Sequence, residues 1–196
     1  MRKIEFWYSI GSTYTYLSTQ RLLNVEHQNN VEFEWFPFSV RARMIEMENV
    51  PFMAEKKRHK IDYMWRDVQR RAGFYGFEAK VPAPYPLKEF DLANKVAILG
   101  KKEGWINEYT ILTYKKWFMD HQEPGLEPNL SSTLNEIGLD AVKTIKLAQT
   151  DEIEKIYLKN TEMAKNKGIF GSPSFVVDNE VFWGDDRCED AIKWLS

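Results

Sequence analysis

Thiol chemistry is almost missing from this chain: its 196 residues include one cysteine, Cys188. A single thiol allows no internal disulfide, no CxxC redox pair and no multi-cysteine metal site. Histidine is scarce as well, and none of His27, His59 and His121 pairs at a metal-ligand spacing, which argues against zinc. Charge of one sign is also lacking, since 27 Lys+Arg stand against 29 Asp+Glu for a net of -2. No basic excess therefore attracts nucleic acid or an anionic membrane. No apolar run reaches the roughly 20 residues of a bilayer span. Glu5 and Ser9 interrupt what would have to be the apolar core of a signal peptide. The expectation is a cytoplasmic protein with neither nucleic-acid nor membrane partners. GxSxG, GxGxxG, Walker and kinase signatures are absent, and the run Lys56–Lys60 reads as a solvated helix start. Aromatic residues, by contrast, are abundant at 14% with 7 Trp. That surface suits a large core, an aromatic-lined pocket, or both.

The chain opens with an alternating segment, 2–8, that places Ile4, Phe6 and Tyr8 opposite Lys3, Glu5 and Trp7. This is a strand signal. A helix is expected from near Thr13, then a second strand over 31–36 that Pro37 stops. A right-handed crossover makes these strands parallel. Residues 39–167 read as helical. Ile61, Met64, Trp65, Val68 and Ala72 fall at helix spacing, with Asp62/Arg66 and Asp67/Arg71 as i,i+4 pairs on the wet side. Helix spacing then resumes from Leu92 to Gly100, and a central helix covers 105–119. Shorter helices follow over 130–137, 141–148 and 151–166, the last opened by an Asp151/Glu154 capping pair. Val81–Pro86 holds no helix. Beyond Gly168, a turn, a strand at 174–178, a hairpin at Asn179 and a return strand at 181–183 lead into a final helix. The reading is one α/β domain formed by 1–38 and 168–196, split by a helical insertion domain at 39–167.

Three places carry candidate chemistry, each with a plain structural alternative. Ser12 stands where a parallel strand meets a helix, so its hydroxyl either caps the helix or donates to a bound anion such as a thiolate. Gly171-Ser172-Pro173 precedes a strand. A trans turn is the default there, whereas a cis bond would turn the backbone of Ser172 toward a peptide-like ligand. Asp185 and Asp186 either complement a helix macrodipole or hold an ammonium group while free N–H groups hold a carboxylate. Cys188 reads as a structural or surface thiol.

Four ordered blocks carry a resemblance. They are Phe6–Leu17 with Ser12 and Tyr14, Asn49-Val-Pro51 followed by Lys60–Asp67, Ile169–Pro173, and Phe182–Arg187. Together they resemble the 2-hydroxychromene-2-carboxylate isomerases and the related kappa-class glutathione transferases of the DsbA superfamily. The resemblance implies an α/β thioredoxin-like fold, β-α-β and β-β-α with a large helical insertion. It further implies a glutathione-dependent isomerase acting on a small aromatic substrate, with homodimerisation possible. Ser12 would stand where dithiol oxidoreductases carry their nucleophilic cysteine and would stabilise the glutathione thiolate. Ser172, before a cis Pro173, would pair with the cysteinyl backbone. Asp185 and Asp186 would meet the γ-glutamyl end, and Asn49 would approach the thiol and substrate. Lys60 is a further candidate for a pocket charge. Two positions depart from the family pattern: Ser9 replaces a common acid and Thr13 a common proline. Alternatives are a kappa-like transferase acting on aromatic electrophiles and a non-catalytic DsbA-like binding module.

Overall fold

The alternation at the N-terminus forms β1, Arg2–Tyr8. The second alternating run forms β2, Val31–Pro37, parallel to β1 in register from Arg2↔Val31 to Tyr8↔Pro37. Strand β2 runs one residue further than expected, because it lies at the sheet edge where a missing proline N–H breaks no ladder. Strands β3 (Ser174–Val177) and β4 (Glu180–Trp183) complete a mixed sheet of order β2-β1-β3-β4. β3 is antiparallel to both neighbours. In the hairpin between them, Asp178 and Asn179 are both left-handed, at φ 49° and 67°. This computed structural model describes residues 2–49 and 57–195.

The helix expected from Thr13 is two pieces, α1 (Thr15–Thr19) and α2 (Leu22–Asn29), which meet at Arg21 with φ -122°. Helix α3 spans Val40–Glu46, α4 Arg58–Phe74 and α5 Asp91–Glu103. Helix α6 spans Ile106–Asp120, α7 Asn129–Glu136, α8 Ala141–Ala148 and α9 Asp151–Asn166. A 3₁₀ turn at Asp185–Arg187 leads into α10, Cys188–Trp194. None of the described helices is long and apolar enough to cross a membrane.

Helix α5 passes through Gly100, where the sequence predicts its end. The Trp105 ring packs so closely on Gly100 that a Cβ there would lie 2.7 Å from it. The true stop is Gly104, whose φ of 91° glycine adopts without steric cost. Helix α9 begins after Thr150 without the predicted side-chain capping bond. Its first-turn acids, Asp151, Glu152 and Glu154, complement the helix dipole instead.

The abundant aromatics build the interior. Ile4, Phe6 and Tyr8 join Phe33, Trp35 and Phe175 of the sheet with Trp65, Tyr114, Trp117 and Phe118 of the helices, so sheet and inserted helices share one core cluster. Within it, the Tyr16 and Phe118 rings stack at 4.1 Å. Trp7, on the strand face with Lys3 and Glu5, is fully buried in a second cluster with Phe38, Val40, Ala164, Ile169 and Val176. Helices α3 and α9 thus close over the sheet face that carries the more polar half of the β1 pattern.

Candidate active site

The segment after β1 is a tight turn closed by the Ser12 N–H donating to the Ser9 carbonyl at 3.0 Å. Ser12 is not a helix cap. Residue Tyr14 precedes α1 and no side chain caps it. The Ser12 hydroxyl instead donates to the Ser172 carbonyl at 2.6 Å. The Ser172 hydroxyl accepts from the Ser9 N–H at 2.8 Å and pairs with the Thr15 hydroxyl at 2.9 Å. The buried Tyr114 hydroxyl donates to the carbonyls of Ser9 at 2.8 Å and Ser12 at 3.1 Å. The Ser172–Pro173 peptide bond is cis. The Pro173 carbonyl accepts from the Gly184 N–H at 2.9 Å, which ties this turn to the segment that carries the aspartates.

Asp185 begins the 3₁₀ turn with its side chain buried. Its Oδ2 accepts from Arg71 Nε at 3.0 Å, Arg71 Nη2 at 2.9 Å and the Tyr75 hydroxyl at 3.0 Å. Its carbonyl accepts from Arg21 Nη2 at 2.6 Å, and Arg21 also pairs with Glu189. Burial pushes the Asp185 carboxyl above the usual carboxylate range, against the opposing pull of Arg71 and Tyr75. Burial and the adjacent Asp185 charge push the Tyr75 hydroxyl up to about 12. Asp186 differs: it is bonded to Arg187 at 2.8 Å, which holds its carboxyl below the usual range.

Of these groups Arg71, Ser172, Pro173, Asp185, Asp186 and Arg187 line one cleft of about 400 Å³ together with Tyr14, Asp67 and Trp183, and Ser12 adjoins it through its bond to the Ser172 carbonyl. The structure therefore brings together Ser12, Ser172, Pro173, Asp185 and Asp186, five of the predicted site residues. It does not place Asn49 there. Asn49 is exposed beyond α3, with its N–H donating to the Met44 carbonyl at 2.8 Å. The rest of that motif, Val50-Pro51, lies outside the described residues. Lys60 is exposed on α4 and lines no part of the cleft.

Sequence reasoning missed Arg71, Tyr75, Tyr14 and Thr15. The periodicity of α4 assigned Arg71 to a surface pair with Asp67, but Asp67 bonds Arg70 at 3.3 Å and Tyr14 at 3.0 Å. Arg71 turns inward because a buried carboxylate offers two charge-assisted bonds in a drier setting. Likewise Asp62 lies near Arg58 at 3.9 Å, and Arg66 donates to Gln69 at 2.6 Å. Cys188 is fully buried, and burial pushes its thiol up to about 12. It is a structural thiol with no reactive thiolate at neutral pH.

Comparison with known proteins places this geometry. A curated 2-hydroxychromene-2-carboxylate isomerase from Sphingobium xenophagum is 22% identical over 99% of this chain and 98% of its own length. A solved structure of a 2-hydroxychromene-2-carboxylate isomerase superposes with a TM-score of 0.85, covering 98% of this chain and 95% of that one at 22% identity. The cytosolic disulfide reductase DsbM from Pseudomonas aeruginosa, solved with GSH, superposes with a TM-score of 0.65 at 11% identity, covering 98% of this chain and 96% of that one. The model of the DSBA-like thioredoxin domain matches residues 3–193, which takes in all of the sheet but Arg2 and the described helices between its halves. With its mixed four-stranded sheet, helical insertion and serine-lined turn at the end of β1, the chain belongs to the DSBA-like thioredoxin domain family.

Proposed function

We propose that this protein is a glutathione-dependent isomerase of the 2-hydroxychromene-2-carboxylate type. The observation that carries this reading is a hydroxyl, Ser12, fixed at the carboxyl end of β1 beside a peptide-sized cleft that offers charged groups of both signs. The similarity to isomerases along the full chain supports it, as does glutathione in a structural neighbour's crystal.

The cleft fits the tripeptide by its donor set. Arg71 and Arg187 offer charge to a carboxylate and Asp186 to an ammonium group, while the turn at Ser172 presents backbone to a backbone. Asp185 plays a different part from the one the resemblance implies. Its carboxylate is already engaged by Arg71 and Tyr75, so it positions Arg71 rather than meeting the ligand directly. Bound glutathione supplies a thiolate that adds reversibly to a conjugated double bond and so permits rotation about it. Ser12 holds that sulfur as the anion by turning its O–H from the Ser172 carbonyl to the thiolate. Helix α1, only five residues long, contributes little dipole, so the hydroxyl is the principal stabiliser. Tyr114 holds the carbonyls of Ser9 and Ser12 and keeps the turn in place as the hydroxyl reorients.

The test is turnover of a chromene carboxylate beside a chlorinated nitrobenzene, each with and without glutathione, with thermal unfolding followed in parallel. Glutathione at tens of millimolar raises Tm by mass action, and isomerisation of the chromene requires it. Conjugation of the nitrobenzene without isomerisation would make the protein a transferase. An unmoved Tm with no turnover would leave only a binding module.

A further inference from the structure

Outside the cleft, the Ser12 turn has a second neighbour. Gly11 packs against the ring of Phe90 so closely that a Cβ on Gly11 would lie 3.2 Å from Phe90 Cδ1 and 3.6 Å from Leu87 Cδ1. This contact is held by a buried clamp. Asn94 is fully buried on α5; its Oδ1 accepts from the Ile10 N–H at 2.8 Å, and its Nδ2 donates to the Ile10 carbonyl at 3.1 Å and the Phe90 carbonyl at 2.7 Å. One amide thus binds the residue before Gly11 and the residue that carries the ring. Phe90 cannot drift from the turn without leaving buried polar groups unpaired.

Over the same ring lies a cation. The Arg41 guanidinium stands 4.5 Å from the Phe90 centroid. It comes from the first turn of α3, which is itself joined to the turn through the Val40 N–H and the Ser9 hydroxyl at 3.5 Å. Among the described residues no carboxylate pairs with Arg41. The acid of its own helix, Glu46, is engaged by Arg43 and Lys165 instead. Stacking leaves the edge of a guanidinium and its fork of N–H donors open to a carboxylate. An aromatic plane and a planar cation that pairs with no carboxylate among the described residues therefore stand together beside the residue that precedes Ser12.

We propose that Phe90 and Arg41 form the acceptor subsite, with Arg41 as the residue that selects aromatic acceptors bearing a carboxylate. The proposal rests on the glutathione reading for the identity of the thiol, but its own content is the recognition of an aromatic carboxylate. The acceptor's ring lies along Phe90, its carboxylate meets Arg41, and its conjugated carbon is presented toward Ser12. Asn94 is the positioning residue of the subsite.

The experiment titrates trans-cinnamate and its neutral isostere trans-cinnamamide into the full-length protein by calorimetry, without glutathione. Wild type binds cinnamate about five- to tenfold more tightly than the amide, as one charge-assisted contact implies. Arg41→Gln removes that preference and leaves amide binding unchanged, and Arg41→Lys restores part of it. Equal binding of the two probes to wild type would overturn the proposal, as would an Arg41→Gln variant that weakens both alike. A separate arm measures the Tm rise given by glutathione, which Arg41→Gln leaves unchanged. Loss of that rise in the variant alone would assign Arg41 to the tripeptide's carboxylate and also overturn the proposal. If glutathione moves no form of the protein while the cinnamate preference and its loss in Arg41→Gln persist, the isomerase reading falls and the subsite stands.

Discussion

Around Ser12 and Ser172, neutral groups satisfy one another. Ser12, Thr15, Ser172 and the Ser9 N–H make contacts of 2.6 to 2.9 Å with no formal charge. On the Asp185 side, Arg71, Tyr75 and Asp185 form a charged cluster around one carboxylate oxygen, with Arg21 and Glu189 behind it. Neutral hydroxyl bonds contribute about 1 kcal/mol each and rotate to a new partner at small cost. A buried ion pair is stiff, because removing either member strands a charge in a poorly solvated place. The difference is one of stiffness: the neutral group can exchange hydrogen bonds at small cost, while the charged cluster holds its shape.

Breaking the charged cluster has the largest expected effect on the fold. Arg71→Ala leaves Asp185 buried without its cation and costs about 3 kcal/mol in denaturant unfolding at neutral pH. The pH dependence has a definite sign. Burial raises Asp185 above its unfolded value, so the folded state binds the proton more tightly. Its contribution to stability is greatest below the unfolded pKa and is lost as pH rises through the folded one. Arg71→Ala raises that folded pKa further, so the deficit of the variant against wild type shrinks on acidification. Asp185→Asn in the Arg71→Ala background flattens this pH dependence. A deficit independent of pH would mean that the cluster acts by packing alone.

Next is the neutral group at Ser12. Ser12→Ala is expected to lower glutathione-dependent turnover about 100-fold, comparable to loss of one donor to a developing or held anion. Stability should change by less than about 1 kcal/mol, because the one bond lost at the Ser172 carbonyl is only partly buried. Parallel kinetics and unfolding measure the two effects, and a large stability loss with unchanged turnover would reverse the assignment of roles. The smallest expected effect is Ser172→Ala, which unpairs the Ser9 N–H and the Thr15 hydroxyl. A cost of about 1–2 kcal/mol in unfolding is expected, with glutathione still raising Tm.

Much of this site was legible because its residues sit in local signals. Ser12 ends an alternating strand, Ser172-Pro173 precedes another, and Asp185-Asp186 follow a glycine at a helix start. Arg71 was not legible. Its partner lies 114 positions away, and the nearer Asp67 offers an i,i+4 pairing that periodicity alone prefers. Asn94 and Phe90 were hidden for the same reason, since a helix-spaced sequence does not show which carbonyls a buried amide will reach. Trp7 read as a partner of Lys3 and Glu5 because alternation reports the strand's faces but not which helices cover them. Gly100 read as a helix end because the ring that packs upon it is invisible to propensity.

By itself the sequence determined the strand pattern, the parallel first crossover, the hairpin and the absence of a usable thiol. These follow from local periodicity and from the inventory of side chains. Tertiary structure alone decided that the Ser12 hydroxyl turns to Ser172 rather than capping a helix. It also decided that Asp185 pairs with Arg71, and that Phe90 and Arg41 stand beside the Ser12 turn. Each of these choices is a competition among partners distant in the chain. Burial decides such competitions, because a polar group removed from water takes the partner that the packed core leaves within reach.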